Sequence, residues 1–66
     1  MLLTINGENR EFRAPLNVSA LLQALALEPR KIAVERNLEI VPKSAYGATA
    51  LMDGDRIEIV QFVGGG

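Results

Sequence analysis

Apolar and polar positions alternate at the start of the chain. Leu3 and Ile5 interleave with Leu2 and Thr4, the period-two pattern of a strand. Asn6-Gly7 follows, a pair that tolerates the positive φ angles of a tight hairpin turn. Asn9 to Arg13 then reads as the returning strand, with Phe12 as its inward anchor. Pro15 closes it, because proline cannot donate to a ladder. Next the period lengthens. Val18, Leu21, Leu22 and Leu25 fall on one stripe of a helix, Asn17 is a suitable N-cap, and Glu28-Pro29 is a stop. The pattern predicts a helix of about ten residues, roughly 15 Å long. Such a helix is unstable alone and needs a sheet to lie on.

Ile32-Ala33-Val34 and Glu39-Ile40-Val41 read as short strands around a turn at Arg36-Asn37, with Pro42 ending the second. Lys43 to Ala50 has no clean period and reads as a loop with one helical turn at most. Asp53-Gly54-Asp55 reads as a tight turn before the last strand, Arg56 to Val63. Hairpin, helix, short strands and final strand make an α+β layer arrangement. A right-handed crossover lays the last strand beside the first, parallel to it. This is the ubiquitin-like β-grasp: a mixed sheet of four to five strands with one main helix across it. The expected division is a β-grasp domain over residues 1–63 and a flexible glycine tail over residues 64–66.

Composition narrows the chemistry. A chain of 66 residues is one domain, which buries only about 60% of its unfolded surface. With no Cys and no His, neither a disulfide nor a thiolate or imidazole metal site can support it. Aliphatic packing must, and the 48% hydrophobic content supplies it. The same absences remove the usual nucleophile and the neutral-pH base, and leave Ser19 and Ser44 without a histidine partner. No catalytic residue is expected, and any reaction needs a partner enzyme. Seven basic and eight acidic residues give a net charge of −1, without the basic excess that phosphate binding requires. No apolar run is long enough to span a bilayer, and Met1-Leu2-Leu3-Thr4 lacks a signal-peptide pattern. No nucleic acid, no membrane and a cytoplasmic location are therefore expected. Asp53-Gly54-Asp55 offers too few oxygens for a calcium loop, and no metal is expected. Lys43 and Arg36 read as solvated surface, with contact to an acidic partner as the other reading; Tyr46 either caps the core or lies at an interface.

The chain finishes on Val63-Gly64-Gly65-Gly66. Glycine-rich ends occur simply because termini fray. Glycine also lacks a Cβ, so such a tail is the thinnest polypeptide there is and can thread a slot that side chains would block. From Val63 onward the chain reaches about 13–14 Å at most, enough to carry a terminal carboxylate into a buried active site. Ordering it costs on the order of 1–2 kcal/mol per residue, which docking of the body must offset. In the strand leading to the tail, Ile57 and Ile59 are expected to face the helix and Val60 and Phe62 the outside, where they form a candidate partner patch. The other reading is a bulge that turns Phe62 into the core.

Taken in order, several segments carry a family resemblance. They are Asn6-Gly7-Glu8, Asn17-Val18 with Leu21-Leu22, Ala33-Val34-Glu35-Arg36-Asn37, Glu39-Ile40-Val41-Pro42-Lys43, Asp53 through Val60, and the ending Phe62-Val63-Gly64-Gly65-Gly66. In that order and length the chain resembles the ThiS family, the sulfur carrier proteins of bacterial thiamine biosynthesis. Leu38 departs from it where members often have glycine, which puts the positive-φ burden on Asn37. The resemblance implies that a ThiF-type adenylating enzyme uses ATP to activate the carboxylate of Gly66. Sulfur from a donor protein then converts it to a thiocarboxylate, and thiazole synthase takes that sulfur. Val63, Gly64 and Gly65 would be the segment held by the partner enzymes, and the carrier itself would bind no cofactor. Two alternatives stay open: the small subunit of molybdopterin synthase, also a sulfur carrier with a Gly-Gly end, and a ubiquitin-like binding module without sulfur chemistry.

Overall fold

The computed structural model describes residues 1–62. Five strands form one sheet: β1 (Leu2–Ile5), β2 (Glu8–Glu11), β3 (Ile32–Arg36), β4 (Glu39–Val41) and β5 (Arg56–Gln61), in the order β2-β1-β5-β3-β4. β1 and β5 run parallel at the centre, pairing Thr4 with Arg56 and Ile5 with Ile57; the other neighbours are antiparallel. One helix, α1 (Val18–Ala24), packs on one face of this sheet.

The inward residues of every strand but β2 meet the helix stripe. Leu3, Ile5, Ile32, Val34, Val41, Ile57 and Ile59 close on Val18, Leu21 and Leu22, with Tyr46 and Leu51 completing the core. Tyr46 is thus a core residue, and burial raises its pKa. β2 is exposed throughout, and its charged sequence suits a sheet edge. It is shorter than the strand expected over Asn9–Arg13. Phe12 lies beyond its end, only partly buried against the core, with the Arg10 guanidinium 5.7 Å from its ring.

The helix starts where its cap predicts. The Asn17 side-chain oxygen accepts from the Ala20 N–H at 2.8 Å. It ends sooner than its sequence suggests, before Glu28-Pro29 comes into play. Ala26 takes φ +58°, its N–H donates to the Gln23 carbonyl at 3.0 Å, and the Leu27 N–H donates to the Leu22 carbonyl at 2.9 Å. That paired closure is a Schellman end built on alanine in place of glycine. It leaves Leu25 as a half-buried cap residue outside the helix, and a 3₁₀ turn at Pro29–Lys31 leads into β3.

Both hairpins use two-residue turns with positive φ at each position. Asn6 and Gly7 have φ of +50° and +84°, Asn37 and Leu38 +52° and +72°. The second turn therefore lies one residue later than Arg36-Asn37, and Leu38 shares the left-handed conformation that the sequence assigned to Asn37 alone. Arg36 stays in β3, opposite Glu39.

Candidate functional site

β5 is the strand that leads to the glycines, and three sets of contacts fix its path. At its start, the Gly54 N–H donates to the Leu2 carbonyl at 2.7 Å and the Leu2 N–H donates to Asp53 Oδ1 at 2.6 Å. Asp53-Gly54-Asp55 is thus a turn that fastens β5 to β1. Asp55 is buried and ties in two more segments through three bonds: its carboxylate accepts from Arg36 Nε at 2.8 Å, from Asn37 Nδ2 at 3.0 Å and from the Met52 N–H at 2.8 Å. Burial by itself would raise the pKa of this carboxyl. The Met52 N–H, the Asn37 amide and the Arg36 guanidinium outweigh that and hold it below the ordinary carboxylate value. Arg36 is therefore a structural ion-pair partner. Among the described residues, no group of three His, Cys, Asp or Glu side chains could hold a metal ion.

In the middle, β5 hydrogen-bonds to β1 on one side and β3 on the other, and its alternation matches the sequence reading. Ile57 and Ile59 are buried, while Val60 is 60% exposed and Phe62 is 55% exposed. Val60 lies opposite Ala33 and is exposed, and Phe62 does not fold into the core. Ile40 of β4, 76% exposed, is a further apolar side chain that the sequence did not single out. It pairs with Glu35, which pairs in turn with Glu58 of β5, so Glu35 lies between Ile40 and β5.

At its end, the Phe62 N–H donates to the Lys31 carbonyl at 2.9 Å, carrying the ladder one residue past β5. The Lys43 ammonium lies 5.4 Å from the centre of the Phe62 ring and donates to the Ile32 carbonyl at 2.9 Å. Lys43 is therefore engaged within the fold, a role its sequence position did not announce. Val63, Gly64, Gly65 and Gly66, the tail positions singled out above, lie outside the described residues. An open depression of about 320 Å³ lies beside Leu25, Leu27 and Ile59. Its polar lining, Asn6, Arg10 and Gln61, includes no nucleophile and no base able to work at neutral pH. Among the described residues, no helix is long and apolar enough to cross a membrane.

This architecture is that of a ubiquitin-like β-grasp protein, and known proteins share it in detail. The sequence model of the ThiS family matches residues 3–66, and the chain belongs to that family. It is 41% identical to the sulfur carrier protein ThiS of Bacillus subtilis over 66 residues, covering 98% of this chain and all of that one. It is 61% identical to a thiazole synthase of Paramagnetospirillum magneticum over 66 residues; all of this chain matches, but it spans only 20% of that protein's length. The crystal structure of the thiamine biosynthesis protein ThiS from Geobacter metallireducens superposes with a TM-score of 0.86 at 39% identity, covering both chains fully.

Proposed function

We propose that this chain is a sulfur carrier in thiamine biosynthesis, and that Gly66 is the residue that carries the sulfur. Membership of the ThiS family supports the reading. The observation that carries it is the placement of Val60 and Phe62. Two large apolar side chains stand on the open sheet face along the strand that continues into Val63-Gly64-Gly65-Gly66. A body that docks through such a patch brings the chain end to the enzyme it docks on.

The chemistry follows from a bare carboxylate. A terminal carboxyl has a reference pKa of about 3.3–3.7, so at neutral pH it is an anion and a poor electrophile. In the proposed first step a Gly66 carboxylate oxygen attacks the α-phosphorus of ATP, pyrophosphate leaves, and an acyl-adenylate remains. Sulfide released from a donor protein then adds at the acyl carbon, the C–O bond to AMP breaks, and loss of the S–H proton leaves a thiocarboxylate. That ionised, polarisable sulfur passes to thiazole synthase for ring formation. ATP is bound by a ThiF-type adenylating enzyme and not by the carrier. Since the chain has no Cys and no His, the acids and bases for these steps come from the partners. Val63, Gly64 and Gly65 thread the partners' active-site slots, where a side chain at either glycine would collide. The cycle belongs in the cytoplasm, and it requires a free carboxylate at Gly66.

The test is transfer. The thiolated chain is presented separately to thiazole synthase and to the large subunit of molybdopterin synthase. Sulfur transfer to thiazole synthase alone supports the proposal. Transfer to the molybdopterin enzyme alone contradicts it.

A further inference from the structure

The end of the sheet next to Phe62 is finished by a side chain. β3 and β4 are antiparallel with Val34 opposite Val41, so two residues further along, Lys43 is the position opposite Ile32. A continued β4 would cover the Ile32 carbonyl with a backbone N–H from Lys43. The chain cannot continue that way. Pro42 ends β4, and Lys43 opens a 3₁₀ turn over Lys43–Ala45. The Lys43 ammonium donates to the Ile32 carbonyl instead, at 2.9 Å. From there it also reaches the Phe62 ring, 5.4 Å from its centre, an attractive cation–π separation. Among the described residues no carboxylate lies within ion-pair distance of Lys43, so these two groups account for where its charge rests.

We infer that Lys43 is a positioning residue: its ammonium clasps the end of β3 to Phe62 and fixes the place of Phe62, the residue that precedes Val63 and the glycines in sequence. The inference rests on the carrier reading above, in which Gly66 must reach a partner's active site. The Phe62 N–H already donates to the Lys31 carbonyl at 2.9 Å. That single bond lies past the last residue of β5, where ladders fray. With the ring also held, Phe62 belongs to the folded body before any partner docks. Without the clasp, Phe62 itself must be ordered on docking, and its ring no longer presents a fixed surface to the partner. The consequence falls on recognition of the carrier and leaves the chemistry at Gly66 untouched.

The experiment compares the full chain with its Lys43→Met and Lys43→Arg variants. Methionine keeps an unbranched apolar stem without the charge or donor, and arginine restores both. Each protein is assayed for thiocarboxylate formation with the ThiF-type enzyme, ATP and sulfide, and amide exchange at Phe62 is followed by NMR. Lys43→Met is expected to raise the KM for the carrier by about tenfold, the ratio set by one more residue to order, with kcat within about twofold. Phe62 amide exchange accelerates in parallel. Lys43→Arg restores both. The ε-methylene protons of Lys43 resonate upfield in the native chain and lose that ring-current shift in Phe62→Leu. Unchanged KM and unchanged Phe62 exchange in Lys43→Met overturn the inference, as does a fall in kcat at constant KM. If the native chain takes up no sulfur, the carrier reading fails. The Phe62 exchange and the Lys43 proton shifts then still decide whether the clasp exists.

Discussion

Asn6 is bonded to Ile59 through both ends of its side-chain amide. Oδ1 accepts from the Ile59 N–H at 2.7 Å, and Nδ2 donates to the Ile59 carbonyl at 3.1 Å. The backbone of β1 supplies the preceding rungs, from the Thr4 N–H to the Asp55 carbonyl at 3.0 Å and from the Asn6 N–H to the Ile57 carbonyl at 2.9 Å. Then the chain turns away at Gly7, and a primary amide takes over as the next rung. Only asparagine combines that geometry with tolerance of φ +50°. Asn6→Ala strands two backbone groups of the central strand and also meets the left-handed penalty. It is expected to cost about 2–3 kcal/mol, read as a lower denaturant midpoint at unchanged m-value. Asn6→Asp, which keeps the acceptor and loses the donor, falls between the two.

Asp55 makes the fold sensitive to acid. Its folded-state pKa is depressed, so its contribution is fully present above the unfolded value, near 3.9, and is lost as pH falls through the folded value. Stability of the native protein is expected to decline below about pH 4. In Asp55→Asn, stability at neutral pH drops by about 2 kcal/mol, because Arg36 loses its charged partner, and the acid-side decline is shallower. Thermal melts of both proteins between pH 3 and 7, on the scale where carboxylates titrate, make the comparison.

Leu38 is a strained position without a packing return. It holds φ +72° with its side chain 75% exposed. Leu38→Gly removes the Cβ clash at the price of a more flexible unfolded chain, and a net gain of about 0.5–1 kcal/mol is expected. The denaturant midpoint measures it.

Phe62→Asp separates docking from folding. The ring is largely solvent-exposed and lies at the end of the ladder, so the melting temperature is expected to shift by only a few degrees, about what a surface substitution gives. Affinity for the adenylating enzyme, measured by titration calorimetry, is expected to fall by about tenfold or more, the range for an aromatic anchor at an interface.

Local signals carried most of this architecture in the sequence. Asn6-Gly7, the Asn17 cap with Val18, Leu21 and Leu22, the Asp53-Gly54 turn and the outward Val60 and Phe62 each depend on neighbours a few residues away. What escaped were features that need the tertiary register. The Arg36–Asp55 pair spans 19 residues, and the Lys43 bond to Ile32 spans 11. Neither exists until β3 is in place between β5 and β4. The early end of α1 escaped for another reason: a left-handed Ala26 contradicts its own helix propensity, and the closing bonds to Leu22 and Gln23 override it. For the candidate site, the exposure of Val60 and Phe62 was legible from alternation alone, while the contact of Lys43 with Phe62 was not.

The central claim is that sulfur is carried on the carboxyl of Gly66. The most direct measurement is top-down mass spectrometry of the protein after incubation with ATP, a sulfur donor and a ThiF-type enzyme. The account predicts a mass gain equal to one oxygen replaced by one sulfur, found only in fragments that contain Gly66 and absent from a chain lacking that residue. No gain in the native chain, or an equal gain in the chain shortened by Gly66, would contradict it.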